Sequence, residues 1–299
     1  MKINDLLNQL GVEYRLIGDG LFDTCGLLQS DTNEILCSFL QDKKYLCNIK
    51  SKLGVLLVSK DNSDEALNYS KSVCIVDNPR DIFFKIHNLL CSSEDYVRPY
   101  HLTQIDESAK ISQLASIAPN NVIIGKNVII EDFVSIQENT IIGDNCIVRS
   151  GSIVGGQGFE YKKTELDVFH VNHVGGVKIG NNVAIHNNTV INRAIYPWDD
   201  TIIADYSKID GVVFIAHGVK IGKRALIVAG TSIAGRTVVG DDAWIGAGAT
   251  IRNGVHIGVN SRANMGAVVT KNIMAGEAVT GNFAINHKQF IENLKKINN

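Results

Sequence analysis

The segment IDGVVFIAHGVKIGKRALIVAGTSIAGRTVVGDDAWIG (209–246) returns to a branched aliphatic residue at every sixth position: Ile209, Ile215, Ile221, Ile227, Ile233, Val239 and Ile245. Followed outward, the same phase runs from Ile179 to Val269 and fails only at Pro197 and Ala263. The position four after each aliphatic is small or β-branched, as at Ala225, Thr231, Thr237, Ala243, Ala249, Val255, Ser261 and Ala267. A period of six is a multiple of the strand period of two and fits neither the 3.6 of a helix nor a heptad. Short strands, each with one inward aliphatic, must therefore turn a corner every six residues. Three hexads close a triangular coil, and stacked coils bury a column of aliphatics that no single coil can bury alone. The expected fold is mainly β, a parallel β-helix.

An earlier run of the pattern occupies Ile105, Ile111 and Ile117, slips by one residue at Pro119-Asn120-Asn121, and resumes from Ile124 to Val154. The phase then breaks at GGQGFEYKKTELDVFHVNHVGGV (155–177) before Ile179 restarts it. A segment inserted between coils must leave the prism, so residues 155–178 are expected to form an outer loop and a site wall. The first hundred residues lack the hexad and predict a small α/β domain (1–100). Ile3, Leu6, Leu7 and Leu10 mark one helical face, 54–59 and 72–77 read as buried strands, and DIFFKIHNLL (81–90) as a second amphipathic helix. The β-helix would occupy 101–272. In the remainder, 273–299, Phe290, Ile291, Leu294 and Ile297 recur at helical spacing and predict a helix that caps the open edge of the last coil.

Composition removes several function classes. The net charge is −2 with mixed signs, which gives no basic surface for nucleic acid. The start, MKINDLLNQLGVEYRL, carries no leader pattern and no apolar run reaches the length of a membrane span, so a cytoplasmic protein without membrane insertion is expected. The six cysteines form no CxxC pair, and reduced, mostly buried thiols are predicted. The eight histidines include no HxxxxH pair on neighbouring turns, so no metal centre is expected. The outward positions are varied and charged, unlike the repeated Thr face of an ice-binding surface.

Two segments carry a family resemblance. GVVFIAHGVKIGKRALIVAGTSIAG (211–235) resembles the catalytic coil of the UDP-3-O-acylglucosamine N-acyltransferases of lipid A synthesis, in which an Ile-Ala-His-Asn-Val-x-Ile-Gly string holds the essential histidine, here His217. CSFLQDKKYL (37–46) is similar to the Ser-Phe-Leu-x-Asn-x-x-Tyr string of that family's uridine-binding domain. The resemblance implies a left-handed hexapeptide-repeat β-helix, a homotrimer, and uracil-stacking aromatics at Phe39 and Tyr45. There are departures. Asp42 stands where the family has Asn, Gln157 replaces the Asp of an Asp-Gly-Phe-Gly core, Asn192-Arg193 stands for Asp-Arg, and Val255 takes the place of a second histidine found in enteric members. The stretch VVTKNIMAGEAVTGNFA (268–284) is similar to the close of coenzyme A-dependent hexapeptide acyltransferases, with Phe283 in place of Pro.

The chemistry of acyl transfer to an amine asks for a base, for donors to a tetrahedral oxyanion, and for a groove for the acyl carrier. His217 is the expected base, and Asp199, eighteen residues earlier, the expected partner of its imidazole, with Asp200 as competitor. Gly235, one coil above, would leave room for a pantetheine arm or expose an N–H. The resemblance assigns substrate binding to Phe39, Asp42 and Tyr45 on the nucleotide, to Gln157, Phe159 and His173 along the acceptor or acyl pocket, and to Asn192, and the thiol carrier to Gly235, Asn253 and Lys271. The expected activity is N-acylation of a nucleotide-linked amino sugar, as in cell-surface polysaccharide synthesis. The thioester is a co-substrate, acyl-CoA before acyl carrier protein, and no cofactor is bound permanently. A lipid A enzyme using hydroxyacyl carrier protein, or a non-catalytic sugar-nucleotide-binding trimer, are the alternatives.

Overall fold

The computed structural model describes residues 1–165, 167–281 and 284–297. Three parallel sheets of nine, eight and eight strands form the faces of a prism. Their register is the hexad read as a ladder: Ile203 pairs with Ile221, Ile221 with Val239 and Val239 with Ile257. All four side chains are buried in one continuous core. The corners follow from the same period. Positive φ recurs at Tyr206, Val212, Gly218, Arg224, Gly230, Arg236, Asp242 and Gly248, so each corner is made by one residue in the left-handed region. Glycine enters that region freely, whereas an L side chain there costs about 1–2 kcal/mol. The small residue four after each aliphatic fills the inside of a corner, and its hydroxyl ties the turn. Thr231 donates to the Val228 carbonyl at 2.7 Å and Thr237 to that of Ala234 at 2.8 Å.

Two excursions leave the prism. Ile142 pairs with Ile179, a step of 37 residues where Ile124 to Ile142 takes 18, and between them lies an antiparallel hairpin. The second is unexpected. Ile179 pairs with Ile203 and Ile185 with Ile209, each a step of 24, so six residues around Pro197 stand outside the ladder. Pro197 is therefore not a slot in the column, as the spacing implies. An insertion of one hexad restores the phase it interrupts, and no slip is left in the sequence to betray it.

The N-terminal region comprises α1 (Ile3–Gln9), β1 (Arg15–Ile17), β2 (Thr24–Cys25), β3 (Leu36–Leu40), β4 (Leu53–Val58), β5 (Ser72–Ile75) and α2 (Pro79–Leu90). Its sheet has the order β1-β5-β4-β3-β2, with only β1 antiparallel to its neighbour. Pro79 starts α2, where its missing N–H is not needed. Both excursions dock here. Ile195 and Tyr196 of the second are buried in the same core as Phe83 and Ile86 of α2, and the Trp198 indole donates to the Cys25 carbonyl at 2.9 Å. The hairpin, β6 (Tyr161–Lys163) and β7 (Val168–His170), is held by Asn88, whose amide donates to the His170 carbonyl at 2.7 Å and accepts from the Asn172 N–H at 2.9 Å. Arg98 closes the joint, donating to the carbonyls of Pro197 and Asp199 and to the Asp200 carboxylate.

The C-terminal helix α3 (His287–Ile297) forms as expected, and within one chain its Phe290 is 48% exposed. Phe283, compared above with a family proline, lies outside the described residues. Among the described residues no helix is long and apolar enough to cross a membrane.

Opposite outcomes are expected for two substitutions in this prism. Ile221→Ala, which opens a void in the 1%-exposed column, lowers unfolding free energy by about 2–5 kcal/mol. Val212→Gly, at φ 58°, raises it by up to about 1 kcal/mol, because the β-branched residue is the strained one. Urea unfolding of the two variants checks both signs.

Candidate functional site

His217 follows the inward Ile215 and precedes the corner Gly218, directly above the second excursion. Gly235 lies one coil higher, and the imidazole rests on it: a Cβ there would stand 2.6 Å from Nε2. The inserted loop covers the ring from the other side. A Cβ on Gly158 would lie 3.3 Å from Nδ1, and the Glu160 carboxylate is 3.5 Å from Nε2. His217 is only 9% exposed. Burial, then the nearby Arg236 guanidinium, lower its pKa to about 4, against the opposing pull of Glu160. At neutral pH the imidazole is therefore an unprotonated base.

The expected Asp199–His217 pairing is not formed. Asp199 is in register beneath His217, but its carboxylate is taken by the Lys220 ammonium. Burial raises the Asp199 pKa, opposed by Lys220. Glu160 holds the position by the imidazole instead. It makes a second ion pair with Lys162, whose ammonium lies 4.1 Å from the centre of the Phe84 ring of α2. Burial would raise the Glu160 pKa, yet the Lys162 hydrogen bond and the surrounding cations hold it below the usual carboxylate range; Lys162 is itself lowered by burial, which outweighs its partner. Sequence spacing missed Glu160 because it belongs to the loop and not to the hexad lattice. A local signal was present: along 159–162 the aromatics alternate with Glu160 and Lys162, and it is Phe159 and Tyr161 that face solvent.

His173 lies beside His217, ring centroids 5.3 Å apart. Its Nδ1 donates to the Val171 carbonyl at 2.8 Å, which fixes the tautomer and leaves Nε2 as an acceptor. That Nε2 is buried and has no hydrogen-bond partner among the described residues. Burial, then His217, lower the His173 pKa to about 3. Gln157 grips the backbone of His173 at both ends, accepting from its N–H at 3.1 Å and donating to its carbonyl at 3.3 Å. It thereby positions His173. Phe159 is 85% exposed on the single chain.

The remaining expected residues are dispersed. Asn192 is buried at the root of the second excursion, where its carbonyl accepts from Thr201, whose hydroxyl also accepts from the Gly218 N–H. Phe39 packs on Phe83 and Phe84 at 5.0 and 5.8 Å, while Tyr45 is 44% exposed beneath the Lys44 ammonium. Asp42, the departure from the family's Asn, caps the short 3-10 helix Lys43–Asn48 by accepting from the Lys44 N–H at 3.0 Å. Lys271 is exposed on the outer surface. Asn253, by contrast, lines a cavity of about 620 Å³ between the two domains, together with Lys50, Trp198, Lys220, Arg236 and His256. Gly218 and Arg236, the lattice neighbours of His217, are among the cavity's lining residues. Val255 is inside the prism core, so it is His256 that faces this space. A second hollow, of about 310 Å³, lies at the carboxyl ends of β3, β4 and β5, bounded by Gln41, Ser59, Asn78, Arg80 and Lys163.

Comparison with known proteins follows the same lines. Residues 121–156 match the model of the bacterial transferase hexapeptide (six repeats), and 236–271 that of the hexapeptide repeat of succinyl-transferase. These place the prism in the class of hexapeptide-repeat transferases. A Helicobacter pylori UDP-3-O-acylglucosamine N-acyltransferase is 34% identical over 269 residues, covering 82% of this chain and 78% of that protein. The chain belongs to the UDP-3-O-acylglucosamine N-acyltransferase family. The Rickettsia akari member is 49% identical over 92 residues, and there the match spans only 26% of the relative's length. Among solved structures, a Campylobacter jejuni UDP-N-acetylglucosamine acyltransferase superposes with a TM-score of 0.51 at 22% identity, covering 65% of this chain and 80% of that one, a likeness of fold.

The buried neutral histidines make stability pH-dependent. Both titrate near 6.5 when unfolded but near 4 and 3 when folded. Below pH 6.5 the unfolded chain therefore binds more protons, and stability falls as pH drops by about 1.4 kcal/mol per pH unit for each histidine. Urea unfolding between pH 7 and 4 is expected to show a slope shallower by one proton in His173→Asn.

Proposed function

We propose that the protein transfers an acyl group from a thioester to the amine of a UDP-linked amino sugar, with His217 as general base. The observation that carries this reading is the buried, unprotonated imidazole of His217 lodged between Gly235 and a carboxylate at 3.5 Å. A base kept neutral can take a proton from the attacking amine at physiological pH. Direct attack fits, because no Ser or Cys hydrogen-bonds to His217 among the described residues. The buried, unpartnered Nε2 of His173 suits a hydroxyl or N–H of the acceptor. The 620 Å³ cavity is lined by Lys50, Arg236, Asn253 and His256 together with the Lys220–Asp199 ion pair, Asp31 and Asp200, and within it Lys50 and Arg236 suit the phosphate of a thiol carrier. We take acyl-CoA as the donor, without a resident cofactor. The hollow at the ends of β3 to β5, near Phe39, suits a nucleotide, as do such strand ends generally.

The names of the relatives favour a second reading within the same chemistry, in which the acceptor already bears a 3-O-acyl chain; the donor in that reading is a hydroxyacyl carrier protein. Assembly as a homotrimer is supported by the outward column Ile153, Val190 and Phe214, aligned in register on one face of the prism, and by the half-exposed Phe290 of α3. The buried thiols of Cys25, Cys37, Cys74 and Cys146, none of them in a disulfide, fit a reducing cytoplasm. We retain the three segments 1–100, 101–272 and 273–299 as the working division of the chain.

The expected result of a thiol-release assay with acyl-CoAs and acyl carrier proteins is turnover that requires an amino-sugar nucleotide. His217→Ala is expected to lose about 10²–10⁴-fold in kcat without change in oligomeric state. Gly235→Ala, which pushes the imidazole off its seat, is expected to lower kcat while leaving the fold intact, since φ at this position is not in the left-handed region. Release from a long-chain carrier protein alone selects the second reading. A folded protein with no turnover on any pair points to a sugar-nucleotide-binding module.

A further inference from the structure

Glu160 and Lys162 are an odd pair to find inside a loop. They are two residues apart in an extended segment and so share a face. That face is turned inward, with Lys162 at 7% exposure, while Phe159 and Tyr161 on the opposite face stand in solvent at 85% and 45%. The usual partition of apolar and charged residues is inverted, and burying an ammonium demands a close partner. Glu160 supplies one oxygen to Lys162 and presents the other to His217 at 3.5 Å. At that separation a single nitrogen can lie within hydrogen-bond distance of both the carboxylate and the imidazole.

We propose that Glu160 is the receptor for the acceptor's ammonium group, and that the Lys162 ammonium occupies it until the amino sugar arrives. The inference rests on the N-acyltransferase reading and names what that site selects: a protonated amine over a hydroxyl. Glu160 draws in R–NH3⁺ beside His217, which takes one proton. The free amine attacks the thioester carbonyl, forming the N–C bond. As the C–S bond breaks, the second N–H proton goes to the leaving thiolate. The products are the amide and the thiol, and His217 returns the first proton to solvent. A hydroxyl acceptor offers no cation to displace Lys162 and is passed over.

Calorimetric titration of the full chain with UDP-glucosamine and with UDP-glucose at pH 6.5, where the amine is protonated, tests this directly. The wild type is expected to bind the amine about 10- to 100-fold more tightly than the hydroxyl compound, the range of a charge-assisted hydrogen bond. Glu160→Gln abolishes that preference and leaves UDP-glucose affinity unchanged, whereas Lys162→Met, which frees the carboxylate, strengthens amine binding. The double variant Glu160→Gln/Lys162→Met leaves no lone buried ammonium and is expected to lose the preference with the fold intact. An amine preference that survives in Glu160→Gln, with His217-dependent turnover still present, overturns this inference and leaves the proposed function standing. Failure of the wild type to bind or turn over any amino sugar overturns both.

Discussion

The structure depends on the registration of one aliphatic column. Each inward Ile or Val of the prism touches the equivalent residue one coil above and below, and the core is continuous only while those steps stay in phase. A slip of one residue would turn the column to solvent and outward polar residues to the core. Material can therefore be added only at corners, and only if the chain re-enters in register. Both excursions obey this rule, and the candidate site is assembled where they leave: His217 comes from the lattice, and Glu160 and His173 from the first excursion. The second excursion lies directly beneath them.

How much of this could be read from the sequence follows from the same rule. The prism and its core were legible because the hexad is a direct image of burial, and the strands at 54–59 and 72–77 and the helix after Pro79 because short apolar runs with clear stops have few other uses. The break at 155–177 was visible because it changes the phase. The excursion around Pro197 was not, because a whole hexad leaves the phase as it was. The partner of His217 was misassigned for a related reason. Lattice spacing does bring Asp199 beneath the imidazole, but Lys220 competes for the carboxylate, and spacing carries no information about which side chain wins. Asp42 reads in the family string as a ligand position, yet an aspartate at that point in a turn is a sound cap for the 3-10 helix that follows.

The electrostatics of the site are those of a dry pocket and not of a charge relay. His217 and His173 are both driven toward neutrality by burial, reinforced at His217 by the Arg236 guanidinium and at His173 by the neighbouring His217. Arg236 is itself held at φ 60° at a corner where glycine would sit without strain. Its guanidinium borders the cavity and acts on His217 at once, so the strained backbone sits beside the chemistry, as such strain often does.

The joint between the domains has a further consequence. The N-terminal domain is held to the prism by the two excursions, through Tyr196, Trp198, Asn88 and Arg98, and not by the covalent connection alone. The connecting stretch just after Arg98 is open, with Tyr100 69% and Leu102 68% exposed. A chain nicked there would remain a single particle, its two fragments sharing one buried core. The same two fragments made separately have the surfaces needed to find each other, which makes this connection the natural point at which to split the protein.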